Sequence, residues 1–160
     1  SEITRLTEKK FILPAHAELI DRKALNVFFQ SEIFSEIHSS ERCQREYRFN
    51  IKFPASEFTA DNDLKKELSD DFIFVQGVID CYFTDKDGKY VLLDYKTDRV
   101  PREIVGNTVL EDDFFIGRHA LQLGYYRTAL KKLTGHEISR TLIYSFILGR
   151  CIELPFGKEQ

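Results

Sequence analysis

The chain has 160 residues, 42% of them apolar and 31% charged, with a formal net charge of −3. That length reads as one domain able to bury a real core, and the composition is that of an ordinary soluble protein. No run of about 18 apolar residues exists, which excludes a membrane-spanning helix. The slight acidic excess argues mildly against a surface given over to nucleic acid.

Local charge softens that last point. Residues Glu57 to Asp71 are strongly acidic, whereas Lys96, Arg99, Arg102, Arg118, Arg127, Lys131 and Lys132 are basic. Solvated helix faces account for some of these equally well. The apolar run Phe11-Ile12-Leu13 is far too short for a signal peptide, and the chain opens at Ser1 without an initiator methionine. It reads as a piece of something longer. Cys43, Cys81 and Cys151 are odd in number and form no Cys-x-x-Cys pair. They imply reduced thiols, with no structural zinc and no iron–sulfur cluster.

In chain order, residues 15–38 place Leu19, Ile20, Lys23, Val27 and Phe28 at helical spacing after Pro14, which predicts packing helices. Gln44 to Phe53 alternates like a half-buried strand and ends at Pro54. An acidic helical or irregular connection runs to Asp71. Two strands are expected at about 72–83 and 89–97, then a loop from Asp98 to about Gly117, broken by Pro101 and Gly106. A helix from about His119 to Leu133 should stop at Gly135. Ile138 to Leu148 reads as a last buried strand, reached by a helical crossover and therefore parallel to the second hairpin strand, with a tail after it. The order predicts an α/β sandwich with a mixed sheet.

The hairpin carries the chemistry. Asp80, Asp94 and Lys96 interrupt apolar runs, and charges seated in core strands cost several kcal/mol unless paired. A divalent metal ion is the commonest partner for such carboxylates. If Lys86-Asp87-Gly88 is a three-residue loop with Gly88 left-handed, Asp85 pairs with Lys89 and Asp80 falls opposite Asp94. Opposed residues share a face with Cβ atoms about 4.5–5.5 Å apart, and Lys96 joins them while Tyr95 points away. Two carboxylates so close call for a cation between them. A two-residue Asp87-Gly88 loop would instead oppose Asp80 to Tyr95, and an ordinary hairpin with exposed charges also fits.

Three motifs in order, Gly77-Val78-Ile79-Asp80, Leu93-Asp94-Tyr95-Lys96-Thr97 and Gln122-Leu123 with Tyr126 and Ala129-Leu130, resemble those of the RecB-type nuclease branch of the PD-(D/E)XK superfamily. The closest likeness is to the C-terminal nuclease domains of AddA-type helicase–nucleases, over roughly residues 16–148. The resemblance implies a restriction-endonuclease-like sandwich, a central mixed β-sheet flanked by helices. It implies DNA phosphodiester hydrolysis in which Asp80 and Asp94 hold Mg²⁺ or Mn²⁺ and the Tyr95 main-chain carbonyl is a third ligand. Lys96 would orient the attacking water.

By the same resemblance, Gln122 and Tyr126 support the site or contact DNA, although four-residue spacing alone also suits a core tyrosine. Glu46 matches a family glutamate, and an edge-strand ion pair with Arg45 or Arg48 is the bland alternative. Relatives add a metal-ligating histidine on an upstream helix. His16, His38, His119 and His136 lack its Gly-x-x-x-His context, so an isolated chain of this kind is expected to bind metal weakly and cleave little. The parent implied is a bacterial cytoplasmic ATP-driven helicase with an AddB-like second subunit, resecting double-strand DNA ends for recombination. A catalytically silent nucleic-acid-binding or docking module of the same fold stays open, as does an unrelated metal-free interaction domain.

Overall fold

The computed structural model describes residues 2–155. Four short helices lead: α1 (Glu2–Glu8), α2 (Pro14–Glu18), α3 (Arg22–Phe29) and α4 (Glu32–Ser39). The stretch expected to pack as helix is broken by two caps. Asp21 accepts from the Lys23 and Ala24 N–H groups, and Ser31 accepts from Phe34 N–H, each satisfying donors that open a helix. The restart at Asp21 leaves Leu19 outside any helix and 81% exposed.

Strand β1 (Cys43–Pro54) follows, then a 3₁₀ turn at Ala55–Phe58 and helix α5 (Asn62–Glu67). The hairpin is β2 (Phe72–Thr84) and β3 (Tyr90–Lys96). Its register is the one the three-residue loop predicts: Cys81 pairs with Leu93, and Thr84 with Tyr90. Gly88 lies at φ 74°, and Asp85 N–H donates to Lys89 O at 2.9 Å. The Asp85 carboxylate also accepts from the Asp87 and Lys89 N–H groups, so the turn is fixed by its own side chain.

Helix α6 spans Thr108–Thr134, eleven residues earlier than its expected start at His119. Asn107 caps it by accepting from Leu110 N–H, and the reading that Gly117 belongs to the loop fails. An interior glycine costs only about 1 kcal/mol, which a helix this long absorbs. The far end stops where expected, with Gly135 left-handed at φ 72° and bonded to Lys131 O.

Strand β4 (Ile138–Ser145) runs parallel to β3, as the crossover requires, but ends three residues before the expected limit. Gly149, at φ 66°, donates to Ser145 O and turns the chain back. Part of the expected tail is therefore an antiparallel edge strand, β5 (Arg150–Glu153). Sheet order is β1-β2-β3-β4-β5. The result is a mixed five-stranded sheet flanked by helices, an α/β fold consistent with a restriction-endonuclease-like sandwich.

Two cores lie on opposite faces of that sheet. On one, α6 packs Phe115, Leu123, Ala129 and Leu130 against Phe49, Ile79, Leu92 and Ile143. On the other, Phe28, Ile33 and Ile37 of α3 and α4 cover Cys81, Phe83, Val91, Leu93 and Tyr144. Each fully buried Leu or Ile contributes about 1.5–3 kcal/mol. Cysteines far apart in sequence meet here: Cys43 Sγ lies 3.8 Å from Cys81 Sγ, and all three thiols are free.

Candidate active site

The sheet forks at Asp80. Ladder pairing between β2 and β3 ends at Cys81–Leu93, and beyond it β2 pairs only with β1 while β3 pairs only with β4. Along β1–β2 the register is continuous from Cys43–Phe83 to Pro54–Phe72 except for one skipped pair, Glu46 with Asp80. Side-chain alternation slips at the same point. Ile79 packs with the α6 core whereas Cys81, two residues on, packs in the other, though an unbroken strand keeps such residues on one face.

Glu46 sits at φ 52°, left-handed and unusual for a residue with a side chain. Such backbone strain concentrates at functional sites. Its carboxylate is exposed.

With its backbone released from the β3 ladder, Asp80 uses its side chain there instead: Oδ2 accepts from Tyr95 N–H at 2.8 Å. Asp94 is 2% exposed and its Oδ2 lies 2.6 Å from Lys96 Nζ. The angles fall short of a hydrogen bond, so this buried oxygen has no hydrogen-bond partner among the described residues. Burial raises the Asp94 pKa above the ordinary aspartate value; Lys96 opposes that shift, and the neighbouring Asp80 adds to it. Lys96 Nζ also donates to Gln122 Oε1 at 3.4 Å, and Gln122 Nε2 donates to the Tyr126 hydroxyl at 3.0 Å.

Tyr126 is held by close packing. Its ring meets Phe49 edge-on, with centroids 5.4 Å apart. A Cβ on Gly77 would come within 3.0 Å of both rings, so the glycine admits them. The expected positions thus gather as one chain of contacts, Asp94 to Lys96 to Gln122 to Tyr126, with Asp80 beside it. Tyr95 turns to the other face, where its ring packs on Phe28 and Phe146.

Two residues escaped the sequence reading. His119 Nε2 stands 3.3 Å from Asp98 Oδ2, and Arg118 Nε is 3.3 Å from Asp98 Oδ1. Burial and then Lys96 lower the His119 pKa below the ordinary histidine value, against Asp98 and Asp94. Their spacing was a usable signal. Asp94, Lys96 and Asp98 alternate along one extended segment, and His119, Gln122 and Tyr126 share one helix face.

These donors suit a hard divalent cation. Carboxylate oxygens are its preferred ligands, and Asp94 Oδ2 is a buried acceptor without a hydrogen bond. Among the described residues no three His, Cys, Asp or Glu side chains converge, so an ion here would also need backbone carbonyls or water.

The fold and this cluster define an α/β domain of the restriction-endonuclease-like kind with a charged site at a sheet fork. No protein-family profile matches the chain. Individual proteins do. The chain is 33% identical over 146 residues, 91% of its length, to the AddA protein of Geobacillus thermodenitrificans, an ATP-dependent helicase/nuclease component. It is 34% identical over 153 residues, 96% of its length, to the protein of the same name from Clostridium botulinum. The matched segment is 11% of either relative. The chain is thus related to AddA-type proteins along nearly its whole length and spans about a ninth of theirs.

Proposed function

We propose that the chain is a RecB-type nuclease domain that hydrolyses DNA phosphodiester bonds with Mg²⁺ or Mn²⁺. The observation that carries this reading is the meeting of Asp80, Asp94 and Lys96 at the sheet fork, with the Asp94 carboxylate buried rather than solvated. Buried charge of this kind is costly and concentrates where chemistry needs it. A metal-free interaction domain with surface charges in the hairpin would expose Asp94 instead.

Asp80 and Asp94 would hold the ion, with the Tyr95 carbonyl as a further oxygen donor. When bound, such an ion lowers the pKa of a coordinated water and offsets charge on the scissile phosphate. Lys96 orients the attacking water and stabilises charge developing on the phosphate oxygens. Gln122 fixes the Lys96 ammonium by accepting one of its protons, and Tyr126 offers its hydroxyl oxygen to the Gln122 amide. Glu46, across the skipped pair from Asp80, supports the site or contacts DNA. With no three-donor cluster among the described residues, metal affinity is expected to be low and cleavage by the 160-residue chain weak.

The relatives' shared name supports the wider context, in which the domain belongs to an ATP-driven helicase–nuclease. There it would act on DNA ends in recombinational repair, in the bacterial cytoplasm, beside an AddB-like partner protein.

The test is cleavage of end-labelled DNA at millimolar Mn²⁺ by the wild type, Asp94→Asn and Lys96→Ala. Metal-dependent cleavage lost in both variants, with melting transitions intact, is the expected result. Cleavage that persists unchanged in either variant would sink the proposal.

A further inference from the structure

Beyond the fork, β1 and β2 continue as a two-stranded ribbon with only one face covered. Tyr47, Phe49, Ile51 and Val75 pack towards α6. The opposite face carries Arg48 and Lys52 from β1 and Phe72, Phe74 and Val78 from β2, and all of them are exposed. Phe74 is 69% exposed and Phe72 48%. Helices α3 and α4 do not reach this half of the sheet, because they cover the part where β3 and β4 pair with each other and with residues Cys81 and Phe83.

Charge on this face is one-signed. Register sets Lys52 opposite Phe74 and Arg48 opposite Val78, and the pair between them, Asn50 with Gln76, is uncharged. Lys52 Nζ also lies 3.5 Å from the centroid of the Phe72 ring. Arg45 extends the cationic row towards the site, close enough to Cys81 and Tyr95 to act on both electrostatically. The acidic segment begins only where the ribbon ends, at Asp70 and Asp71.

We infer that this ribbon face is a binding platform for single-stranded polynucleotide, its cations meeting phosphates and the Phe74 ring stacking on a base. Cations interleaved with exposed rings fit a flexible polyanion that offers aromatic faces. A protein interface would deplete charge at its centre, whereas here Phe74 and Val78 each sit directly across from a cation. A duplex offers phosphates but keeps its base faces stacked inside, so the rings would have nothing to meet. Phe74 stands six residues from Asp80, about 20 Å along an extended strand. The platform therefore lies within reach of the fork without being part of it, and binding there does not depend on the cleavage reading.

The test is fluorescence anisotropy of an oligothymidylate of about 12 nucleotides, within the usual ~4–16 for a single-strand site, in excess chelator so that no cleavage occurs. The variants are Phe74→Ser and Lys52→Ser of the full chain, each checked by circular dichroism; both positions are exposed, so the fold is expected to survive. Wild type should bind the oligomer more tightly than a duplex of equal length. Phe74→Ser should weaken binding about fivefold or more. Lys52→Ser should reduce the slope of log affinity against log salt by roughly 0.7. No binding by wild type, or variants that bind like wild type, would overturn the inference. So would sedimentation showing a wild-type dimer that Phe74→Ser dissociates, since a second copy of the chain would then occupy the face.

Discussion

Asp94 is held in a place that suits its chemistry and not its stability. Its carboxyl is raised above the ordinary aspartate value because burial outweighs the help from Lys96. An acid whose folded pKa is raised binds its proton more tightly in the folded state. The folded state therefore loses stability as pH climbs from about 4, the unfolded value, through the folded one, and does not regain it above. Asp94→Asn keeps the shape and removes the charge. The variant should melt higher than wild type at pH 7, with the difference shrinking towards pH 4, while losing cleavage. Thermal melts across that range decide it, and a lower melting temperature for the variant at pH 7 would contradict the burial argument. Gly77 answers to shape alone. Gly77→Ala should cost about 1–3 kcal/mol by pushing the Phe49 and Tyr126 rings apart. It should also slow cleavage by disturbing the Tyr126 end of the chain that holds Lys96, which paired melting and rate measurements would reveal.

At the scale of elements, α6 is both scaffold and site. Leu123 and Leu130 anchor it to the sheet, while His119, Gln122 and Tyr126 present polar groups towards the fork. Its N-terminal half is tied down by Glu111, which accepts from Gly106 N–H and lies 3.0 Å from Arg150 of β5. The backbone bond and Arg150 together lower the Glu111 pKa below the usual carboxylate value. Gly117 is the weak link. It is exposed, has ordinary helical backbone, and a Cβ there would meet nothing within 4 Å. Gly117→Ala should stabilise the protein by about 0.5–1 kcal/mol, a rise of roughly 1–4 °C in melting temperature for a chain of this size. Calorimetry that finds no gain would mean that the helix is not continuous through this position. Edge strand β1 raises a different issue, since long flat edges invite pairing with other chains. The left-handed Glu46 and the cations Arg45, Arg48 and Lys52 work against that on this strand.

For the whole molecule, ion binding and stability are one measurement. A ligand that binds only the folded state stabilises it by about 2.7 kcal/mol at a hundred times its dissociation constant. For 160 residues that is roughly 5–11 °C. Mn²⁺ should raise the melting temperature of wild type and leave Asp94→Asn unmoved. An equal rise in both would place the ion elsewhere. No helix among the described residues is long and apolar enough to cross a membrane, so these melts can be run without detergent.

Whatever local chemistry decides is legible along the chain. The hairpin register follows from Asp85 and Gly88, because a three-residue loop closes only one way and the pairing of every later residue is then arithmetic. The end of α6 at Gly135 and the parallel placement of β4 rest on backbone conformation and the handedness of the crossover, both short-range or general. Packing settled the rest. Helix α6 starts earlier than its local signals suggest because a glycine in a long helix is a small cost that tertiary contacts override. The tail residues became β5 because an open edge of β4 was available to pair with them. The slip at Glu46 and Asp80, the meeting of Cys43 with Cys81, and the approach of His119 to Asp98 all join residues more than twenty positions apart. No window of sequence contains both partners of such a contact, and only the assembled sheet, with α6 laid across it, brings them together.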